Sequence, residues 1–363
     1  MNKTLLVVFC FVYWFTGLSQ TEVVTFYPNS TVVKEQYFIT SPTDSTKNGE
    51  YHFFYENGSL FQVGNMINNQ PSGVWKIFYS NGTLKTQYNF INGLKQGEAK
   101  VYYEDGKISV LENYQDNQLH GPYKEFTQKG VLVYKANYYF GAQHDSSYKY
   151  NGNGVLQEIC MWENGLKNGP FVTFHRDTNR INSIGTYKNG KLSGKLVGLF
   201  LDSTTQLISY YSDGHLHGDY TEYFENGTLR EKGSFENGKR IGLWFFYYPN
   251  KQLYMKGFYK KDEFDGDWEI FHPNRSRKQV GTYMNGKAEG EFIFYHPNGK
   301  IRTKGIYKNN LREGVWIGYN ENEQKVYEVA FKAGKNHGWY YTFNPDGSKN
   351  EGKYFENGEE VKH

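Results

Sequence analysis

Only two cysteines occur in 363 residues, Cys10 and Cys160, so no disulfide framework can staple this chain. An excess of one charge is missing too. The 41 Lys and Arg stand against 38 Asp and Glu, a net charge of +3, with both signs mixed along the sequence. That balance excludes a basic stripe for nucleic acid and an acidic tail for cations. Beyond the first twenty residues no apolar run approaches the about 20 residues that a membrane-crossing helix takes. Stretches rich in the helix formers Ala, Leu, Glu and Lys are also scarce. What is abundant is aromatic: 33 Tyr and 27 Phe, together with 40 glycines. Tyr and Phe suit half-buried pleated surfaces and Gly suits turns, so the composition predicts an all-β chain with no helical domain.

Residues 1–19 have the pattern of a signal peptide. Lys3 supplies the positive start, Leu5 to Phe15 the apolar stretch, and Gly17 and Ser19 the small residues before a cleavage point. Cleavage is expected after Ser19, leaving Gln20 first, and no lipoprotein-type cysteine sits there. The chain is therefore expected to be exported, to the periplasm, the cell surface or the medium, with no transmembrane segment once the leader is removed.

Glycines recur at a step of 24 residues: Gly49, Gly73, Gly97, Gly121, Gly169, Gly194, Gly218, Gly242, Gly266, Gly290, Gly314 and Gly338. Asp145 stands where one is missing, and the step from Gly169 to Gly194 is longer by one residue, assigned to Asp177-Thr178-Asn179. A fixed period of this length marks a repeat architecture. About thirteen units fill residues 49–363, and residues 20–48 read as a degenerate N-terminal capping repeat.

Each anchor glycine is taken as position 0. Position 5 is then an aromatic column: Phe54, Phe78, Tyr102, Phe126, Tyr150, Phe174, Tyr223, Tyr247, Phe271, Tyr295, Tyr319 and Phe343. A second column follows at position 17, as in Phe235, Tyr259 and Tyr283. Asn-Gly or Asp-Gly falls at positions 8 and 9 (Asn57-Gly58, Asn226-Gly227) and again at 19 and 20 (Asn237-Gly238, Asn285-Gly286). Such dipeptides between aromatic runs signal hairpins, because both central residues of a type I′ turn need positive φ. Each unit is thus expected to run strand, tight turn, strand, looser turn, and the array to form an elongated antiparallel meander of stacked β-hairpins. A two-residue turn at positions 8 and 9 would pair 6 with 11, 4 with 13 and 2 with 15. Position 2 is often a large ring (Trp75, Trp244, Trp268, Trp316) and position 15 often glycine (Gly64, Gly233, Gly257, Gly305), so a ring is expected to cover its cross-strand glycine. Position 5 should then point to the opposite, more polar face.

The recurrent W/Y-x-x-F-Y-x-N-G-x-L-x-x-x-G-x-Y-x-N-G-K-x-x-G pattern, clearest in 218–240, 266–287 and 290–308, resembles the variant MORN repeat. Bacterial proteins built of this repeat are commonly labelled toxin–antitoxin system YwqK family antitoxins. The resemblance implies stacked hairpins that serve as interaction surfaces, in some members near membranes or lipids, and an antitoxin-like binder of a cognate toxin.

Signals of chemistry are weak by comparison. Gly185 to Lys191 and Gly281 to Lys287 have the G-x4-G-K spacing of a phosphate loop, but Leu192 and Ala288 follow where Ser or Thr is needed for Mg²⁺. His120, His217 and His337 recur before anchor glycines, and His175, His272 and His296 recur at position 6, which points to a role in the repeat. His215 and His217 lack a third metal ligand. Asn57, Asn81 and Asn226 fit the N-glycosylation pattern but are hairpin-tip residues first. No nucleophile motif or metal pair occurs. The expectation is a non-enzymatic scaffold with no cofactor and no metal site, a protein partner, and no nucleic acid. The alternative partner is a glycan or envelope surface stacked on the position-5 rings.

Overall fold

The computed structural model describes residues 20–362, and the expected leader with its cleavage point lies outside them. The chain divides into two compact units at Arg180/Ile181. In the first, strands from Thr21–Phe26 to Leu166–Phe174 pair antiparallel with their sequence neighbours. The second does the same from Ile181–Lys188 to Glu359–Val361. No helix occurs among the described residues, so the all-β hairpin meander is the fold. Residues 21–41 form a hairpin whose second strand pairs with Asp44–Phe54.

The two turns exchange the characters expected of them. At positions 8 and 9 only the glycine is left-handed: Gly227 has φ 74°, and Asn226 is not among the residues of positive φ. Gly227 N–H donates to the Phe224 carbonyl at 2.9 Å, and Phe224 N–H to the Thr228 carbonyl at 2.8 Å. That is a type I turn closed by a glycine bulge. The asparagine is selected for its side chain instead, since Asn226 Oδ1 accepts the Thr228 N–H at 2.9 Å. Positions 19 and 20 hold the type I′ turn: Asn237 and Gly238 have φ 48° and 79° inside the pair Glu236↔Lys239.

The bulged turn moves the register. Tyr223 faces Leu229 and Glu222 faces Glu231, so one residue of the second strand is left over. The pairs 4–13 and 2–15 stand as expected, whereas position 11 opposes position 5 and not position 6. Anchor glycines sit in a second irregularity, where the register shifts by two residues: Lys232 faces Phe245, but Ser234 faces Ile241. Gly242 has φ 65° there, and Asp145 takes φ 60° at the equivalent place, which explains why glycine recurs. The extra residue of the long step is absorbed at a hairpin tip, where His175 N–H reaches Arg180 instead of a residue four along.

Alternate rings of positions 2 and 17 make the core. From Tyr220 through Phe235, Trp244, Tyr259, Trp268, Tyr283, Phe292 and Tyr307 to Trp316, successive centroids lie 4.9–6.4 Å apart with planes at 71–88°. Edge-to-face contact of this kind adds about 0.5–1.5 kcal/mol per pair beyond burial. Trp244 and Trp316 are fully buried. The ring over each glycine comes from the following unit: a Cβ on Gly233 would sit 2.2 Å from Trp244, and one on Gly257 2.1 Å from Trp268. The covering of bare backbone therefore locks one repeat onto the next. Where Tyr88 takes the glycine position, Ala99 takes the ring position of the next unit and is 2% exposed.

Candidate interaction surface

The twelve position-5 rings are all half-buried. Most oppose an aliphatic residue across the strand, as in Phe54↔Leu60, Phe78↔Leu84, Tyr102↔Ile108, Phe126↔Leu132, Tyr150↔Leu156, Tyr223↔Leu229, Tyr247↔Leu253 and Tyr295↔Ile301. Phe271 and Tyr319 face the stems of Arg277 and Lys325. Phe343 bridges to Lys349 and lies under the Lys325 ammonium at 4.5 Å. Phe174 ends the strand Leu166–Phe174. Within a unit these rings stand two strands apart, about 10 Å, so they do not form a touching ladder. Burial raises the Tyr247 hydroxyl above the ordinary tyrosine value.

Position 6 links units. Tyr55, Tyr79 and Tyr103 hydroxyls donate to the carbonyls of Phe78, Tyr102 and Phe126 at 2.7–2.9 Å. His272 and His296 meet the Tyr295 and Tyr319 carbonyls in the same way at 3.3 and 2.9 Å. His120 and His337 Nδ1 each accept a turn N–H, from Phe140 and Asn357, at 3.4 Å. These four histidines thus bond to the backbone of neighbouring turns and strands. Both phosphate-loop-like segments are type I′ hairpins, around Asn189-Gly190 and Asn285-Gly286. Among the described residues no group of three or more His, Cys, Asp or Glu could hold a metal ion.

A different surface emerges beside the type I′ turns of the first unit. The residues flanking each turn include Ile67, Ile91, Leu94, Tyr139 and Leu166, with Phe140 inside one turn, and all are 38–57% exposed. Turn after turn is fixed by backbone bonds, such as Gly93 N–H to the Pro71 carbonyl at 3.1 Å and Gly141 N–H to Leu119 at 2.8 Å. His120 packs against Tyr139 and Phe140 with centroids 5.1 and 4.8 Å away. In the second unit the same flanking positions are mostly charged, as in Glu236↔Lys239 and Lys260↔Glu263, although Met284 and Leu311 remain exposed. Positions 18 and 21 recur with the 24-residue period in the sequence, but that they flank exposed type I′ turns follows only from the register. Aromatic frequency by itself points to positions 2, 5 and 17 instead.

One buried tyrosine, Tyr51, and three half-buried ones share one electrostatic arrangement. Tyr51, Tyr114, Tyr123 and Tyr220 donate to Glu35, Glu112, Glu125 and Glu222 at 2.7–3.1 Å. Burial first, and the adjoining carboxylate second, raise each hydroxyl well above its ordinary 10.0. A folded-state value above the unfolded one favours the neutral form. The contribution is whole below pH 10 and is lost as pH rises through the folded values. Alkaline titration followed at 295 nm should therefore show a late class of tyrosines ionising together with loss of the β-sheet circular dichroism signal. Ionisation of all tyrosines in one step near pH 10 with the sheet intact would refute this.

Six segments, residues 71–92, 95–116, 119–138, 216–237, 240–261 and 288–309, match the MORN repeat variant. No curated protein matches the sequence significantly. Among solved structures, a TcdB2–TccC3–Cdc42 crystal structure is 10% identical with a TM-score of 0.18, covering 90% of this chain and 19% of that one. A Photorhabdus luminescens Tc holotoxin pore is 11% identical with a TM-score of 0.17, over 90% of this chain and 19% of that one. The chain thus spans about a fifth of the length of these structures.

Proposed function

We propose that this MORN-repeat protein is a non-enzymatic, exported scaffold that binds a protein partner along the type I′ edge of its first unit. The observation that carries this is the row Ile67, Ile91, Leu94, Tyr139 and Leu166, exposed apolar side chains on turns tied to one another by backbone bonds. Contiguous exposed apolar surface on a rigid frame is the usual mark of an interaction site. The surrounding residues favour protein over lipid. Asn68, Asn69, Gln70, Gln115 and Gln118 intersperse the row, and the net charge of +3 offers little pull toward an anionic bilayer. The leader-like residues 1–19 support export and disfavour the antitoxin role, which requires a cytoplasmic chain. Glycan stacking on the position-5 column is the weaker alternative, because those rings are half-covered.

The test uses the full chain at native level, with a photoreactive phenylalanine at position 91 and, as a control, at position 260. A discrete adduct from 91 alone, identified by mass spectrometry and abolished by Ile67→Ser with Leu94→Ser in a chain that melts normally, is the expected result. Equal labelling from both positions, or an adduct indifferent to those substitutions, overturns the interaction edge. Cell fractionation with sequencing of the mature N-terminus tests export separately, and an uncleaved cytosolic chain overturns it.

A further inference from the structure

Position 22 of the repeat carries a cation in several units, and each but one has a carboxylate to answer it. Lys167 meets Glu158 at 2.8 Å. Lys47, the equivalent in the capping repeat, meets Glu35 at 3.4 Å. Lys95 lies in the field of Glu112. Arg240 meets Glu231 at 3.5 Å and lies 5.5 Å from the centroid of the Tyr259 ring. Its guanidinium lies over the Trp244 ring at 4.6 Å. Arg312 repeats that last geometry, 4.5 Å over Trp316 and 5.2 Å over Phe331. The carboxylate is gone, however, and so is the neighbouring hydroxyl. Thr303 stands where Glu231 stands, and Phe331 where Tyr259 stands. The Arg312 guanidinium has no side-chain hydrogen bond or ion pair among the described residues.

This uncompensated charge opens onto a cleft of about 400 Å³, lined by Arg312, Tyr327, Phe331, Asn336, Tyr340 and Lys353. The volume is within the usual range of small-ligand sites, and the lining is the usual mixture of aromatic walls with a few polar groups. Lys353 at the rim is already neutralised by Glu360 at 2.9 Å. One charge is left over, and it belongs to a planar fork whose centre lies 4.5 Å over an indole.

We propose that this cleft binds a small organic monoanion, a carboxylate carried on a flat apolar body. The guanidinium fork takes a carboxylate through two parallel N–H···O bonds. A single free cation suits a monoanion and leaves a phosphate dianion half-answered. Phe331 and Tyr340 supply faces for the apolar part, and the Asn336 amide a further polar contact. This site is independent of the interaction edge in the first unit.

The test is isothermal titration of the full chain with 4-hydroxyphenylacetate, against its uncharged counterpart 2-(4-hydroxyphenyl)ethanol. The acid should saturate one site, with the alcohol at least about tenfold weaker, which is about 1.4 kcal/mol. Arg312→Gln should lose binding about tenfold or more. Thr303→Glu should do the same with the arginine retained, since it supplies the counter-ion that Arg240 already has. Arg240→Gln should leave binding unchanged. Melting curves establish that each variant folds, and should Thr303→Glu unfold, Arg312→Gln on the exposed rim decides alone. No saturable binding below about 10 mM, equal binding of acid and alcohol, or binding that survives Arg312→Gln overturns the site.

Discussion

Trp244→Ala is expected to destabilise the second unit by about 3–5 kcal/mol, the range for emptying a large aromatic site in a packed core. Trp244 is fully buried and meets Tyr220, Phe235, Phe246 and Tyr259 within 5.1–5.9 Å between centroids. Its Nε1–H donates to the Ile241 carbonyl at 3.1 Å, and its ring shields Gly233. Removing it takes away the contact between two repeats as well as a side chain. In a repeat array the interface between neighbours carries much of the stability. Urea unfolding followed by hydrogen exchange should show the loss, with amides of 229–260 losing protection first. A loss below about 1 kcal/mol, typical of surface positions, would mean that the spine is not what holds the repeats together.

Gly257→Ala is the second large effect, and its cause is purely steric. The added Cβ would lie 2.1 Å from the Trp268 ring, a distance at which the ring or the strand must move. Overpacking of this kind costs about 1–3 kcal/mol. Gly242→Ala is the contrast: nothing lies within 4 Å of its would-be Cβ, but φ is 65°, so the cost there is conformational. A double-mutant cycle separates the causes. Gly257→Ala should become nearly neutral in a Trp268→Ala background, with a coupling of about 0.5–3 kcal/mol. Gly242→Ala should keep its cost in that background, because it does not involve the ring. Additivity of Gly257→Ala with Trp268→Ala would refute the account of glycine at position 15.

These two positions also show how far the sequence reached. The alternation of Trp244 and Gly257 was enough to place them opposite each other, and the ladder has that pair. The same sequence could not say that Trp244 leans back onto Gly233 while Gly257 is covered by Trp268. Strand pairing follows from a period of two, but the direction in which a ring leans depends on twist and on bulges. The turn dipeptides taught the same lesson. Asn226-Gly227 and Asn237-Gly238 are identical in sequence and fold into different turns. Flanking register decides between them, and a dipeptide does not carry it.

Period, strand content and the antiparallel meander were determined by sequence alone. Twenty-four residues hold two strands and two turns, and glycine, asparagine and aromatic residues each have few other uses at that spacing. Tertiary structure decided what no single unit contains: the ring of one repeat over the glycine of another, the row of apolar flanks from Ile67 to Leu166, and the missing partner of Arg312. These are relations between residues from 9 to 99 positions apart. Their energies come from which atoms meet across strands, and that is fixed only when bulges and twist have set the register.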